Sequence, residues 1–183
     1  RSGVLDLDLT IIQVSPPDEH GFCSLGVSVD VVKAAAECGR HVVAQINPKM
    51  PRVLGDSFIH VTELDAIVEH EEPLIETAIP ERRAIAERMA IYVAKLVEDG
   101  STIQVGIGRI LTAVLSHLTD KRDLGVHSEM ITDAYLPLIE NGVITGKKKS
   151  IHQDKIIASF CLGTRKLFDF VHNNPQVEFY PSD

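Results

Sequence analysis

The sequence contains little cysteine, and its cysteines form no pattern that would stabilise a fold. Among 183 residues there are 3 cysteines, Cys23, Cys38 and Cys161, and no C-x-x-C motif. An odd number of widely spaced cysteines excludes a disulfide framework and a structural zinc site. The 8 histidines also lack the H-E-x-x-H spacing of a catalytic zinc site, so we expect no metal. Reduced cysteines favour a cytoplasmic location.

An excess of basic residues and a long apolar run are also missing. The chain has 18 Lys and Arg against 26 Asp and Glu, which gives a net charge of −8. This charge argues against nucleic acid or an anionic membrane surface as a partner. No apolar run approaches the ~20 residues of a membrane span. The chain has no signal-peptide pattern and does not begin with Met, so we expect the natural chain to extend upstream.

What the sequence does contain is an alternation of short apolar strands and helices. Leu7 to Val14 and His41 to Ile46 have the composition of strands, and Val31 to Cys38 between them has that of a helix. This alternation predicts an α/β fold with open sheets and flanking helices. The acidic segment Glu69 to Pro80 contains two prolines and predicts a linker. We therefore expect a first domain over residues 1–75 and a second over residues 76–183.

The second domain is predicted to open with a helix. Pro80 occupies the favoured first-turn position, and Gly100 ends the segment. Apolar residues recur at helical spacing in this segment and predict one buried face. They are Ile85, Met89, Tyr92 or Val93, and Leu96.

The best candidate for a functional site is a glycine turn followed by a strand that ends in an acid. Strand-like residues Thr102 to Val105 lead into Gly106-Ile107-Gly108, and a helix follows from Arg109. The next strand reaches Glu129. Ligands of open α/β sheets bind at the carboxyl ends of the strands, so both features are expected on one rim. Backbone N–H groups of a glycine turn can approach an oxyanion, and a carboxylate can act as base, acid or nucleophile.

Two polar segments follow this site. Asp133 is predicted to cap a helix that runs to Asn141. The run Lys147-Lys148-Lys149 is either a solvated turn or a phosphate contact. The apolar residues Ile156 to Leu162, which include Cys161, predict a buried strand.

Several motifs together resemble the acetyl-CoA hydrolase/transferase family, and within it the 4-hydroxybutyrate, acetate and butyrate CoA-transferases. The resemblance covers nearly the whole chain. The matching motifs are Val14 to Asp30, Asn47 to Arg52, Gly55-Asp56-Ser57, Gln104 to Gly108, His127 to Met130, Asn141 to Lys149, Leu162-Gly163-Thr164 and Asn173-Asn174-Pro175.

The resemblance implies a CoA-transferase-like fold built from two related α/β domains. Residues 1–75 are expected to be the later part of the first domain, and residues 76–183 the opening part of the second. The family's C-terminal glycine-rich segment, which helps to bind CoA, is absent from this chain, so we expect the segment alone to be inactive.

The resemblance also implies an activity and a set of site residues. Glu129 is the expected catalytic glutamate, which carries CoA as a glutamyl-CoA thioester between short-chain carboxylic acids in ping-pong fashion. Gly106, Ile107 and Gly108 are expected to approach the thioester, while Gln104 and Met130 form pocket walls. Coenzyme A is then a substrate and no cofactor is held permanently. The partners are acyl-CoA and carboxylic acids, and the full-length protein is expected to be a homo-oligomer.

Two alternatives to CoA transfer stay open at the level of sequence. The same glutamate could support acyl-CoA hydrolysis, with water in place of the second acid. The glycine turn could instead hold a phosphorylated metabolite in a domain that is not an enzyme.

Overall fold

A computed structural model describes residues 6–77 and 84–182 of the chain. The chain divides into two compact units. The first comprises the residues up to Ile75 together with those from Phe168 onward, and the second comprises Glu76–Leu167. Both units contain short parallel strands and helices, so the predicted α/β class is confirmed. The predicted helix start at Pro80 lies outside the described residues.

The first unit contains a three-stranded parallel sheet in the order β1-β3-β6. These strands are β1 (Thr10–Val14), β3 (Val42–Ile46) and β6 (Ala66–Glu69), and α1 (Val32–Cys38) lies between β1 and β3 in the chain. Alternate side chains of β1 and β3 are buried, which is the period expected of a sheet with one covered face. Strand β1 is shorter than predicted, because Leu7 forms only an isolated bridge with Gly39.

Two strand pairs complete the first unit. Strands β2 (Phe22–Ser24) and β5 (Phe58–His60) are antiparallel, and a 3₁₀ turn (Val61–Glu63) follows β5. Strands β4 (Leu54–Gly55) and β12 (Val177–Phe179) are parallel. The pairing of β12 with β4 joins the end of the chain to the first unit, whereas the sequence-based division assigned all of residues 76–183 to the second domain.

The loop between β1 and β2 is held by Asp18. Its carboxylate accepts hydrogen bonds from the backbone N–H groups of Phe22 and His20 and from the Arg52 guanidinium. These bonds, that from Phe22 above all, lower the pKa of Asp18. The loop is therefore an ordered turn.

In the second unit, three parallel strands lie in the order β10-β8-β7. They are β7 (Thr102–Ile103), β8 (Gly125–His127) and β10 (Ile156–Ala158). A second parallel pair consists of β9 (Met130–Ile131) and β11 (Phe160–Cys161). The predicted strand over Ile156 to Leu162 is thus divided at Ser159, whose N–H bonds to the Glu129 carbonyl oxygen.

Helices cover these strands in the second unit. They are α2 (Ala84–Ala94), α3 (Arg109–Ser116) and α4 (Leu136–Glu140), which follows a 3₁₀ turn at Asp133–Tyr135. The last helix, α5 (Arg165–Val171), spans the boundary between the units. No helix in the described ranges is both long enough and apolar enough for a bilayer crossing.

The predicted buried face of α2 is wrong. Ile85 and Leu96 are 73% and 82% exposed, and Met89, Tyr92 and Val93 are exposed as well. The buried residues are instead Ala86, Ala90 and Ala94, which recur every fourth position and form a narrow stripe. Small side chains let α2 lie close to α3, which buries Ala113, Val114 and Leu115. The close approach of α3, rather than the size of the apolar side chains on α2, therefore determines which face of α2 is buried.

The alanine stripe generates a stability prediction. Ala90 is 0% exposed, so Ala90→Leu should overpack the α2–α3 contact and lower the free energy of unfolding by about 1–3 kcal/mol. Ile85→Ala, on the exposed side of α2, should change it by less than about 0.5 kcal/mol. Urea unfolding measures both variants, and a larger loss for Ile85→Ala would contradict the observed orientation of α2.

Candidate active site

The glycine turn follows β7 and leads directly into α3. Gly108 has φ 150° and ψ 154°, a conformation that L side chains rarely adopt, and it occupies the N-cap position of α3. Its carbonyl oxygen accepts hydrogen bonds from the backbone N–H of Thr112 at 3.1 Å and from the Thr112 hydroxyl at 3.2 Å. Glycine at position 108 therefore lets the chain turn sharply from β7 into the helix.

Glu129 lies in the short turn between β8 and β9. Its carbonyl oxygen accepts hydrogen bonds from the N–H groups of Ser159, at 2.8 Å, and Phe160, at 3.2 Å. The N–H of the preceding Ser128 donates to the Ile157 carbonyl at 3.0 Å. The backbone of Glu129 is thus fixed by the chain that links β10 to β11, while the residue is exposed.

Ser128 joins the glutamate to the glycine turn. Its hydroxyl accepts a hydrogen bond from the Val105 N–H and donates one to the Val105 carbonyl, each at 3.2 Å. Ser128 is only 6% exposed, and Val105 immediately precedes Gly106. The two predicted halves of the site are therefore held together through one side chain. The role of Ser128 as a link has no separate signal in the sequence.

A cavity of about 450 Å³ opens beside the glycine turn. It is mostly apolar and lies entirely within the second unit. Its walls come from α2, α3, the chain after β9 and the chain after β11. The predicted site residues among its lining are Gly106, Ile107, Gly108 and Met130.

Two predicted site residues stand apart from this cavity. Gln104 is exposed and does not line it, so a pocket-wall role for Gln104 stays a prediction. Glu129 is exposed too, although the next residue, Met130, lines the cavity and is buried. A nucleophilic carboxylate gains reactivity from loss of hydration, and the described residues alone do not enclose Glu129.

Asp133 caps a different helix from the one expected. Its carboxylate accepts hydrogen bonds from the Thr164 N–H, at 2.8 Å, and from the Thr164 hydroxyl, directly before α5. The turn after Thr132 has no side-chain cap. The prediction that Asp133 caps the helix ending near Asn141 is therefore wrong, because the turn brings its carboxylate to a second chain segment. Asp133 also lines the cavity.

Two ionisable side chains of the second unit, Tyr135 and Cys161, are buried. The hydroxyl of Tyr135 is buried, and this burial raises the pKa of Tyr135 to about 12, an effect that the nearby Ser128 hydroxyl partly opposes. Burial also raises the pKa of the Cys161 thiol. Cys161 therefore behaves as the small buried hydrophobe that its apolar neighbours indicated. The described residues contain no cluster of three or more His, Cys, Asp or Glu side chains that could hold a metal.

The lysine run is only partly a solvated turn. Lys147 and Lys148 are exposed, but Lys149 is 2% exposed. The Lys149 Nζ donates to the carbonyl oxygens of Val126 and Lys155, each at 2.8 Å. Lys149 is therefore an internal group of the strand layer, which the pattern of three lysines did not indicate.

His127 lies on the opposite side of β8 from Ser128. Partial burial, the positive charge of Lys149 and His152 together lower the pKa of His127. The ring of His152 stacks edge-on at 6.1 Å. This environment favours the neutral imidazole.

Ser128 generates a prediction for this site. Ser128→Ala removes both bonds to Val105, so the free energy of unfolding should fall by about 1–2 kcal/mol. Loss of the link should also make the glycine turn more mobile, which amide hydrogen exchange at residues 105–108 would detect. Ser150→Ala, at an exposed position, is the control. Equal behaviour of the two variants would show that the Ser128 link is unimportant.

Comparison with known proteins supports the expected relationship. The family described as "Acetyl-CoA hydrolase/transferase N-terminal domain" matches residues 1–79. The chain is 50% identical over 179 residues to a 4-hydroxybutyrate coenzyme A transferase of Clostridium kluyveri, covering 98% of this chain and 42% of that protein. It is 45% identical over 175 residues to a succinyl-CoA:acetate/propanoyl-CoA:succinate CoA transferase of Fasciola hepatica, covering 95% of this chain and 37% of that protein.

A solved structure agrees with these sequence relationships. The crystal structure of a 4-hydroxybutyrate CoA-transferase from Porphyromonas gingivalis superposes with a TM-score of 0.94 at 44% identity. The match covers 98% of this chain and 46% of that structure. The chain thus spans about two fifths of the length of the curated relatives it matches. The predicted resemblance to the acetyl-CoA hydrolase/transferase family, and to its CoA-transferases, is confirmed.

Proposed function

Since this chain is a relative of the CoA-transferases in the acetyl-CoA hydrolase/transferase family, we propose that the protein containing it moves CoA between short-chain carboxylic acids. The observation that carries the proposal is the Ser128 link, which holds a glycine turn next to a strand end that presents Glu129. A turn rich in backbone N–H groups beside a carboxylate is the arrangement that acyl transfer needs.

Glu129 acts as the nucleophile. Its carboxylate attacks the thioester carbonyl of an acyl-CoA, and the C–S bond breaks to release CoA thiolate and leave an acyl-glutamyl anhydride. The thiolate then attacks the glutamyl carbonyl, which frees the carboxylic acid as carboxylate and forms a glutamyl-CoA thioester. A second carboxylate reverses these two steps and leaves as its own CoA ester. The thioester bond energy is conserved throughout, and no metal or redox step is needed.

The glycine turn and the cavity serve the acyl group. The backbone at Gly106, Ile107 and Gly108 approaches the thioester carbonyl, where an oxyanion donor contributes roughly 10²–10³ in rate. The apolar cavity beyond the turn, with Met130 in its wall, accepts the acyl chain. Gln104, exposed before the turn, is assigned to the wall of the substrate pocket together with Met130.

We assign residues 1–75 to the later part of a first CoA-transferase domain and residues 76–183 to the opening part of a second. Coenzyme A is a substrate, and no cofactor is held permanently. We also place the full-length protein in the cytoplasm as a homo-oligomer. The free thiols of Cys23, Cys38 and Cys161 support a reducing compartment.

Hydrolysis by the same glutamate is the weaker alternative. Relatives that are 50%, 45% and 38% identical to this chain carry the names of CoA-transferases. A phosphometabolite-binding domain without catalysis is a further alternative, and the position of Glu129 argues against it, because binding a phosphate at a helix N-terminus requires no adjacent carboxylate.

A Glu129→Gln variant of the full-length protein tests the proposal. Removal of the nucleophile should lower the exchange of CoA between acetyl-CoA and labelled acetate by at least about 10³-fold. Glu98→Gln, an exposed glutamate in the same unit, is the matched control and should leave the rate unchanged.

Two results would separate the alternatives. Net CoA release without exchange, lost in Glu129→Gln, would indicate a hydrolase. Retained exchange in Glu129→Gln would overturn the assignment of the nucleophile.

A further inference from the structure

Lys149 is a buried cation that the proposed reaction does not use. Its aliphatic stem passes over Gly125, where an added Cβ would lie 2.4 Å from the Lys149 Cγ. Position 125 is therefore a glycine because the lysine stem occupies the space that a side chain would fill. An ammonium group is costly to bury, so a lysine in this place needs hydrogen bonds that offset its lost hydration.

The hydrogen bonds of Lys149 join two strands. The Nζ donates at 2.8 Å to the carbonyl oxygen of Val126, in the middle of β8, and at 2.8 Å to that of Lys155, directly before β10. Val126 is the register partner of Ile156, the first residue of β10. The ammonium therefore lies where the β8–β10 pair begins.

Backbone hydrogen bonds continue from the end of this strand pair to Glu129, in the turn that follows β8. After Val126 and His127, the N–H of Ser128 bonds to the Ile157 carbonyl, and the Glu129 carbonyl accepts from Ser159 and Phe160. These bonds follow one another and so connect the backbone at Val126 to that of Glu129.

The ammonium of Lys149 also acts on a neighbouring residue of β8. His127, the neighbour of Val126 on β8, has a pKa lowered in part by the charge of Lys149. The other members of the run, Lys147 and Lys148, are exposed. Only one lysine of the three is built into the strand layer.

We propose that Lys149 is a positioning residue for Glu129, because its ammonium ties β8 to the start of β10 and so holds the strand end that presents the nucleophile. The catalytic consequence rests on the proposed CoA-transferase function. The structural part of the inference, that Lys149 holds the backbone of Glu129 in place, does not rest on that function. The inference about Lys149 and the proposed function can therefore fail separately.

Kinetics of the full-length protein test the catalytic consequence. Lys149→Met keeps a chain of similar length and removes the charge. It should lower kcat per folded molecule by about 10- to 100-fold, since small misplacements of reacting groups have effects of this size. The KM for acetyl-CoA should stay within about twofold, because the cavity and the glycine turn are not contacted. Lys147→Met, the same change at an exposed position, should leave both constants unchanged.

A purely structural role predicts a different result. In that case Lys149→Met would lower the melting temperature, while kcat per folded molecule would stay within about twofold of the parent. That outcome overturns the proposal.

Amide hydrogen exchange supplies a readout that does not depend on activity. In Lys149→Met, the peptides that contain Ser128 to Met130 and Ser159 to Phe160 should exchange faster, whereas Lys147→Met should not change them. If the parent protein shows no CoA transfer, the proposed function fails. Amide hydrogen exchange then still decides whether Lys149 holds the backbone of Glu129. Unchanged exchange at these peptides in Lys149→Met overturns the inference.

Discussion

The site depends on the pair of hydrogen bonds between the Ser128 hydroxyl and the backbone of Val105. Strand β7 and strand β8 are neighbours in one parallel sheet, but β7 is only 2 residues long and its ladder ends before the glycine turn. Ser128 continues the connection beyond the end of the ladder by using one hydroxyl as both donor and acceptor. The glycine turn and Glu129 then keep a fixed spacing, which an acyl-transfer site requires because the nucleophile and the oxyanion donors act on the same carbonyl.

The strand that bears Glu129 is held from its other edge as well. Bonds from Ser159 and Phe160 hold the Glu129 carbonyl, and Lys149 holds the strand further back. Each of these groups acts on the backbone, so the carboxylate itself is not restrained by them. A fixed backbone with an exposed side chain suits the covalent role that we propose for Glu129.

Local patterns in the sequence predicted the α/β class, the glycine turn and the strand before Glu129, because each depends on a short run of residues, although β8 ends at His127 and Glu129 lies in the turn that follows. They failed where a long-range contact decides the outcome. The buried stripe of α2 consists of alanines such as Ala90 because α3 lies close to it, and Asp133 caps α5 because a distant turn meets it. Lys149 resembles an ordinary surface lysine until the structure shows Gly125 beneath its stem. Such contacts join residues that are far apart in the chain. The periodicity of apolar residues along the sequence carries no information about them.

The central claim is that Glu129 carries CoA covalently, and mass spectrometry tests it most directly. The full-length protein would be incubated with acetyl-CoA, quenched and digested, and the peptide containing Glu129 weighed. The account predicts a CoA-sized adduct on that peptide that is discharged by acetate and absent from Glu129→Gln. An unmodified peptide, with acetyl-CoA and a series of other short acyl-CoA donors all recovered intact, would contradict it.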